Sequence, residues 1–209
     1  MKTARIGVLV SGQGRGTNFG AIVEAIQAHK LHAELGLLIA TKEAHGAVDI
    51  AQRNNLPYLI LSPAQFDSTE EWDARACNDL QNAGVSVVCL AGYMRRVSRV
   101  MLNAFPSRTL NVHPSLLPSF GGQGMLGMRV HQAVLEHGCR VSGCTVHFVD
   151  DRYDGGAIIA QKCVPVEDED TPESLAARVR EAEHEIYPQC IEWLIQDQLR
   201  VEGQRVLRI

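Results

Sequence analysis

Short β-branched runs alternate with helical segments through the first 113 residues, and few folds accept that order. Residues 6–10 are apolar and end in glycines, as a strand buried on both faces does. Residues 18–30 put Phe19, Ile22, Val23 and Ile26 on one helical face, with Thr17 or Asn18 placed to cap the start. Residues 35–40, 58–61, 85–91 and 109–112 read as further strands. Residues 43–54, 68–82 and 98–105 read as helices between them, the first of these stopping before Pro57. Unbroken β-α-β-α order predicts a parallel sheet with helices on both faces.

The second half follows another pattern. Residues 128–136 are helical. Strands at 143–149 and 158–166 are joined by a tight Asp/Gly-rich segment, which favours antiparallel pairing. Pro172 and Glu173 open a long helix reaching about residue 195, and Pro188 inside it predicts a bend or break near Ile186. Residues 199–201 and 205–207 read as a closing hairpin around Glu202-Gly203. One α/β domain over residues 1–209 is expected, mostly parallel, with antiparallel C-terminal strands.

Composition excludes several classes. With 45% hydrophobic and 21% charged residues, the 209-residue chain is not disordered. Lys and Arg number 20 against 24 Asp and Glu, so there is no bulk basic field and no nucleic-acid partner is expected. No run of 18 apolar residues occurs, so no membrane span is expected, and the N-terminal apolar run is too short for a signal peptide. Six cysteines form no CxxC pair. Reduced thiols in a cytoplasmic protein are expected rather than a disulfide framework, and no metal site, because no close Cys/His ligand pair is present.

Three segments carry chemistry. Ser11-Gly-Gln-Gly-Arg-Gly-Thr-Asn18 lies between the first strand and first helix, where glycines and a helix start suit a phosphate. It lacks the P-loop ending and the dinucleotide spacing, and a ligand-free glycine turn fits the same residues. Asn111-Val-His113-Pro follows a strand, at the carboxyl edge where open α/β sheets bind ligands. Period-two alternation puts Asn111 and His113 on one side, suiting acyl or formyl transfer: an amide for an oxyanion and an imidazole for a proton or a charge. Taken alone, the pair is better explained by a turn-closing Asn and a hydrogen-bonded strand-end His. Asp150-Asp-Arg-Tyr-Asp154-Gly-Gly holds three carboxylates that Arg152 alone cannot pair. Either one of them partners His113, or the segment is a solvated loop. His147, between Val146 and Phe148, reads as a satisfied strand histidine.

In combination and in this order, the glycine loop, Ala91-Gly-Tyr-Met-Arg-Arg-Val97, Asn111-Val-His-Pro-Ser-Leu-Leu-Pro118, Thr145-Val-His-Phe-Val149 and Tyr153-Asp-Gly-Gly156 resemble the folate-dependent formyltransferase family. The resemblance runs from Ile6 to about Leu207. It implies a Rossmann-like formyltransferase fold, with residues 1–113 as a nucleotide-binding half and 114–209 as a folate-side half. It implies that the amine of 5′-phosphoribosylglycinamide attacks the formyl carbon of 10-formyltetrahydrofolate, a co-substrate, in purine biosynthesis. The family's catalytic trio falls on Asn111, His113 and Asp154. Its nucleotide and phosphate contacts fall on Gly16, Thr17, Asn18, Arg180 and Glu183. Its folate contacts fall on Met94, Arg95, Arg96, Val97, Asn111, Asp150 and Asp154. Small molecules are the implied partners, and the protein is implied to be a monomer or a homodimer.

The chain departs from the family pattern in three places. The glycine loop carries two residues more than a Gly-x-Gly-Ser-Asn loop. Thr69 stands where some members carry an Arg that touches folate. Residues 120–128 are longer and glycine-rich, either a mobile lid or a surface loop. Two rivals stay open: a formyltetrahydrofolate hydrolase with water as acceptor, and a non-enzymatic phosphate-binding regulator.

Overall fold

The computed structural model describes residues 3–12, 14–43 and 45–209. Gln13 of the glycine loop and Ala44 of the predicted 43–54 helix lie outside the described residues. The chain forms β1 (Ala4–Val10), α1 (Thr17–Gln27), β2 (Ala33–Ala40), α2 (Gly46–Arg53), β3 (Tyr58–Ile60), α3 (Thr69–Asn82), β4 (Val87–Leu90), α4 (Arg99–Ala104) and β5 (Thr109–His113). After these come α5 (Met128–Glu136), β6 (Val141–Phe148), β7 (Ile158–Pro165), α6 (Pro172–Ile195), β8 (Leu199–Glu202) and β9 (Arg205–Arg208).

Among the described residues nine strands share one sheet, ordered β3-β2-β1-β4-β5-β6-β7-β9-β8. Strands β3, β2, β1, β4 and β5 pair in parallel, as the alternation predicts. Strands β5, β6 and β7 pair antiparallel, and so do β8 and β9. Alternating side chains of β1 feed two cores. Ile6, Val8 and Val10 join Phe19 and Ile22 of α1 and Tyr187 and Ile191 of α6. Leu9 faces Trp72, Ala76 and Leu80 of α3 on the other side. Helices therefore cover both faces.

Three local expectations are corrected. Neither Thr17 nor Asn18 caps α1. Gly16 occupies the cap with φ 70° and no side-chain cap bond, so Thr17 and Asn18 are the first helical residues. A Cβ at Gly16 would collide with the backbone of Gly46 and Ala47, so only glycine lets the loop lie against the start of α2. The 43–54 helix begins at Gly46, because the His45 side chain accepts from the Ala47 N–H and caps it. Pro188 does not break α6, which is continuous from Pro172 to Ile195. The N–H that proline lacks costs one helical bond. The buried face through Ile186, Tyr187, Cys190, Ile191 and Leu194 holds the helix on the sheet regardless. The Tyr187 hydroxyl lies 2.9 Å from the Leu90 carbonyl and 3.1 Å from that of Leu110, pinning α6 to β4 and β5.

Candidate active site

Strands β1, β4 and β5 end side by side, and the loops after them turn around one cavity of about 480 Å³ at the carboxyl edge. Every residue expected in the site lines it except Gly16, which backs onto α2. Ser11 ties two of the loops together. Its N–H donates to the Gly92 carbonyl, and its Oγ accepts from the Met94 N–H at 2.6 Å.

The catalytic candidates meet across two strands. In the β5–β6 register Asn111 lies opposite His147, and His113 opposite Thr145. Directly opposed residues share a face, so all four point the same way. The register of β6 against β7 shifts between Val146 and His147, a bulge beside the site. Asn111 Nδ2 and His147 Nε2 are 3.1 Å apart, while His147 Nδ1 donates to the Phe148 carbonyl at 2.8 Å. That tautomer leaves Nε2 as acceptor, so His147 sets the orientation of the Asn111 amide. Burial lowers the His147 pKa, against the pull of the Phe148 carbonyl and Asp154, which favours this neutral form.

His113 is buried, and both ring nitrogens face oxygen. Nε2 lies 2.9 Å from the Phe120 carbonyl, and Nδ1 lies 3.5 Å from Asp154 Oδ2. Asp154 comes from the β6–β7 loop, where it takes a left-handed φ of 52°. Its Oδ2 accepts from the Gly122 N–H at 2.9 Å, and its Oδ1 lies 3.8 Å from His147 Nε2. The crowded aspartates divide their partners. Asp150 pairs with Arg152, Asp151 with Arg99, and Asp154 with the two histidines.

At the other end of the cavity, α6 presents Ala176, Val179, Arg180 and Glu183 at helical spacing. Glu183 is buried, and its Oε2 accepts from Asn18 Nδ2 at 3.0 Å. Burial pushes its carboxyl up to about 7, although Asn18 and Arg180 oppose the shift. Thr17 and Asn18 sit in the first turn of α1, whose start has no side-chain cap to occupy its N–H groups. Met94, Arg95, Arg96 and Val97 form the wall beyond β4, facing Asp150, Arg152 and Tyr153. Thr69 does not line the cavity.

Sequence reasoning set the lining residue His147 aside and passed over the lining residue His131. A lone His in an apolar strand carries no signal. The cross-strand partner Asn111 supplies it, and that pairing becomes visible only once the register is known.

A side-chain amide, an imidazole and a carboxylate at one end of a cavity, with cationic and helix-start groups at the other, define a group-transfer enzyme of α/β architecture. The family model for formyl transferases matches residues 4–191, and the chain belongs to that family, within its phosphoribosylglycinamide formyltransferase branch. It is 39% identical to the chloroplastic phosphoribosylglycinamide formyltransferase of Arabidopsis thaliana, over 94% of this chain and 67% of that protein. It is 38% identical to the chloroplastic enzyme of Vigna unguiculata, spanning 95% of this chain and 63% of that protein. The crystal structure of glycinamide ribonucleotide transformylase 1 from Symbiobacterium toebii superposes with a TM-score of 0.93. It shares 41% identity over 99% of this chain and 94% of the other. Among the described residues no helix is long and apolar enough to cross a membrane.

Proposed function

We propose that the chain transfers the formyl group of 10-formyltetrahydrofolate to the amine of 5′-phosphoribosylglycinamide, giving the N-formyl nucleotide and tetrahydrofolate. The observation that carries this reading is the convergence of Asn111, His113 and Asp154 in the cavity that also takes in Asn18, Arg180 and Glu183. Two substrates held there need no covalent enzyme intermediate, because juxtaposition itself lowers the barrier by several kcal/mol.

The amine nitrogen bonds to the formyl carbon, and the carbonyl oxygen becomes an oxyanion. Asn111 holds one amide hydrogen on His147 and offers the other to that oxygen. His113 donates to it as well. Its Nε2–H is engaged by the Phe120 carbonyl, so residues 120–128 shift on binding and release that donor. Asp154 steadies the charge on His113 and, through a water, takes the proton from the attacking nitrogen. Collapse of the tetrahedral centre breaks the bond to folate N10, which takes up the proton that Asp154 and its water removed from the amine.

Thr17 and Asn18 at the start of α1, with Arg180, form the proposed phosphate anchor, and Gly16 shapes the turn behind them. Glu183 serves the ribose or glycinamide. Met94, Arg95, Arg96, Val97 and Asp150 are the proposed folate wall. The division at residue 113 then concerns sheet direction more than substrate, because Met94–Val97 precede it and Arg180 and Glu183 follow it. Six unpaired cysteines support a reducing, cytoplasmic setting.

A formyl-transfer assay with purified protein tests the reading. Consumption of 10-formyltetrahydrofolate is expected only when the glycinamide nucleotide is present, and Asn111→Ala is expected to lower kcat roughly 10²–10³-fold. Equal turnover without nucleotide identifies a hydrolase instead. Full activity in the double variant Asn111→Ala, His113→Ala removes the mechanism.

A further inference from the structure

We infer that His131 contacts the ribose of the nucleotide substrate and selects for its hydroxyl groups. The inference rests on the reading of the cavity as a phosphoribosyl and folate site. His131 lies in the first turn of α5 and is only 5% exposed, yet it lines the cavity. Its Nδ1 is buried and, among the described residues, has no hydrogen-bond partner. Burying such a group unpaired costs free energy that an apolar side chain at the same place avoids. A partner that arrives with the substrate accounts for the histidine.

Position and charge state narrow that partner. Helix α5 packs against α6, and the ring is close enough to both Arg180 and His113 to feel their charges. His131 therefore lies near both the cation assigned to the phosphate and the imidazole assigned to formyl transfer. In a phosphoribosyl amine the sugar joins the two ends those groups would hold, with phosphate on C5′ and the amine-bearing group on C1′. Burial first, then Arg180 and His113, push the His131 pKa down to about 4, so the ring is neutral at physiological pH. A neutral imidazole offers one donor and one acceptor, which a hydroxyl can answer either way, and it lacks the positive charge that favours a phosphate or carboxylate. A flip about χ2 puts Nδ1 in the place of Cδ2 and Nε2 in that of Cε1, so the ring can turn a nitrogen to either side of its pocket.

Discrimination kinetics test the inference, with 5′-phosphoribosylglycinamide and its 2′-deoxy and 3′-deoxy analogues as acceptors. The variants are His131→Phe, which keeps the ring volume, and His131→Asn, which keeps a donor and an acceptor. For the ribose substrate, kcat/KM is expected to fall about 10-fold in His131→Phe, the size of one hydrogen bond. The analogue lacking the hydroxyl in question should lose nothing further. His131→Asn should recover part of the discrimination, and the KM for 10-formyltetrahydrofolate should stay unchanged throughout. Equal losses on all three acceptors, a raised folate KM, or ribose preference intact in His131→Phe overturns the inference alone. No transfer by the wild-type protein overturns the functional reading, and the inference with it.

Discussion

Glu183 and His131, both lining the cavity, titrate in opposite senses. Glu183 holds its proton up to about pH 7, above the ordinary 4.5, because burial penalises its charged form. Between those values the folded protein binds more protons than the unfolded chain, so this group makes stability fall as pH rises. His131 stays neutral down to about pH 4 against an ordinary 6.5. There the unfolded chain binds more protons, so stability rises with pH. The two trends oppose each other from about pH 4.5 to 6.5. Glu183 alone costs about 3 kcal/mol once ionised. Glu183→Gln is therefore expected to be more stable than the parent by an amount that grows from pH 5 to pH 7.5. Urea unfolding at pH 5, 6 and 7.5 reads this directly, and a difference independent of pH contradicts it. His147 belongs to the same scale: its role as orienter of Asn111 rests on a single 3.1 Å contact that no local pattern announces.

Among the elements, the β6–β7 connection carries the most chemistry for its length. It delivers Asp154 with a left-handed backbone, and two glycines follow. A Cβ on Gly156 would collide with the Phe148 carbonyl, the same carbonyl that receives the His147 Nδ1–H. Gly156→Ala is expected to destabilise by about 2–4 kcal/mol and to lower kcat, because relieving the clash moves both Asp154 and His147. Thermal melting together with the transfer assay measures the two effects. A variant that melts lower yet keeps full kcat separates the loop from the chemistry. The helices expected at 128–136 and from Pro172 to about residue 195 lie at those places as α5 and α6. The misread places are ends and interruptions: the cap of α1, the start of α2 and Pro188. At α1 the close approach to α2 and at Pro188 a buried face overrode the local preference, while the His45 side chain set the start of α2.

For the whole molecule, the order of the strands decides what the cavity can be. Strands β1, β4 and β5 come from three parts of the chain and end at one edge, which collects the glycine loop, the Met94 wall and His113 there. Helix α6 then closes the opposite end with Arg180 and Glu183. Two ligands sharing this cavity should both stabilise the fold. At 100 times its Kd each contributes about 2.7 kcal/mol, roughly 5–10 °C in Tm for a chain of this size. The glycinamide nucleotide and a tetrahydrofolate together are expected to raise Tm beyond either alone. If the second ligand adds nothing, the two compete for one place and the transfer geometry fails.

By itself the sequence determined the layered α/β architecture and the parallel-to-antiparallel change, and its resemblance to a family named the side chains proposed as reactive. The first two follow from local periodicity and turn chemistry, which neighbouring residues carry. Only the tertiary structure decided that Asp154 meets His113, that His147 orients Asn111 and that His131 is left without a partner in the cavity wall. Such relations depend on strand register and helix packing between distant segments, and no stretch of chain encodes them locally.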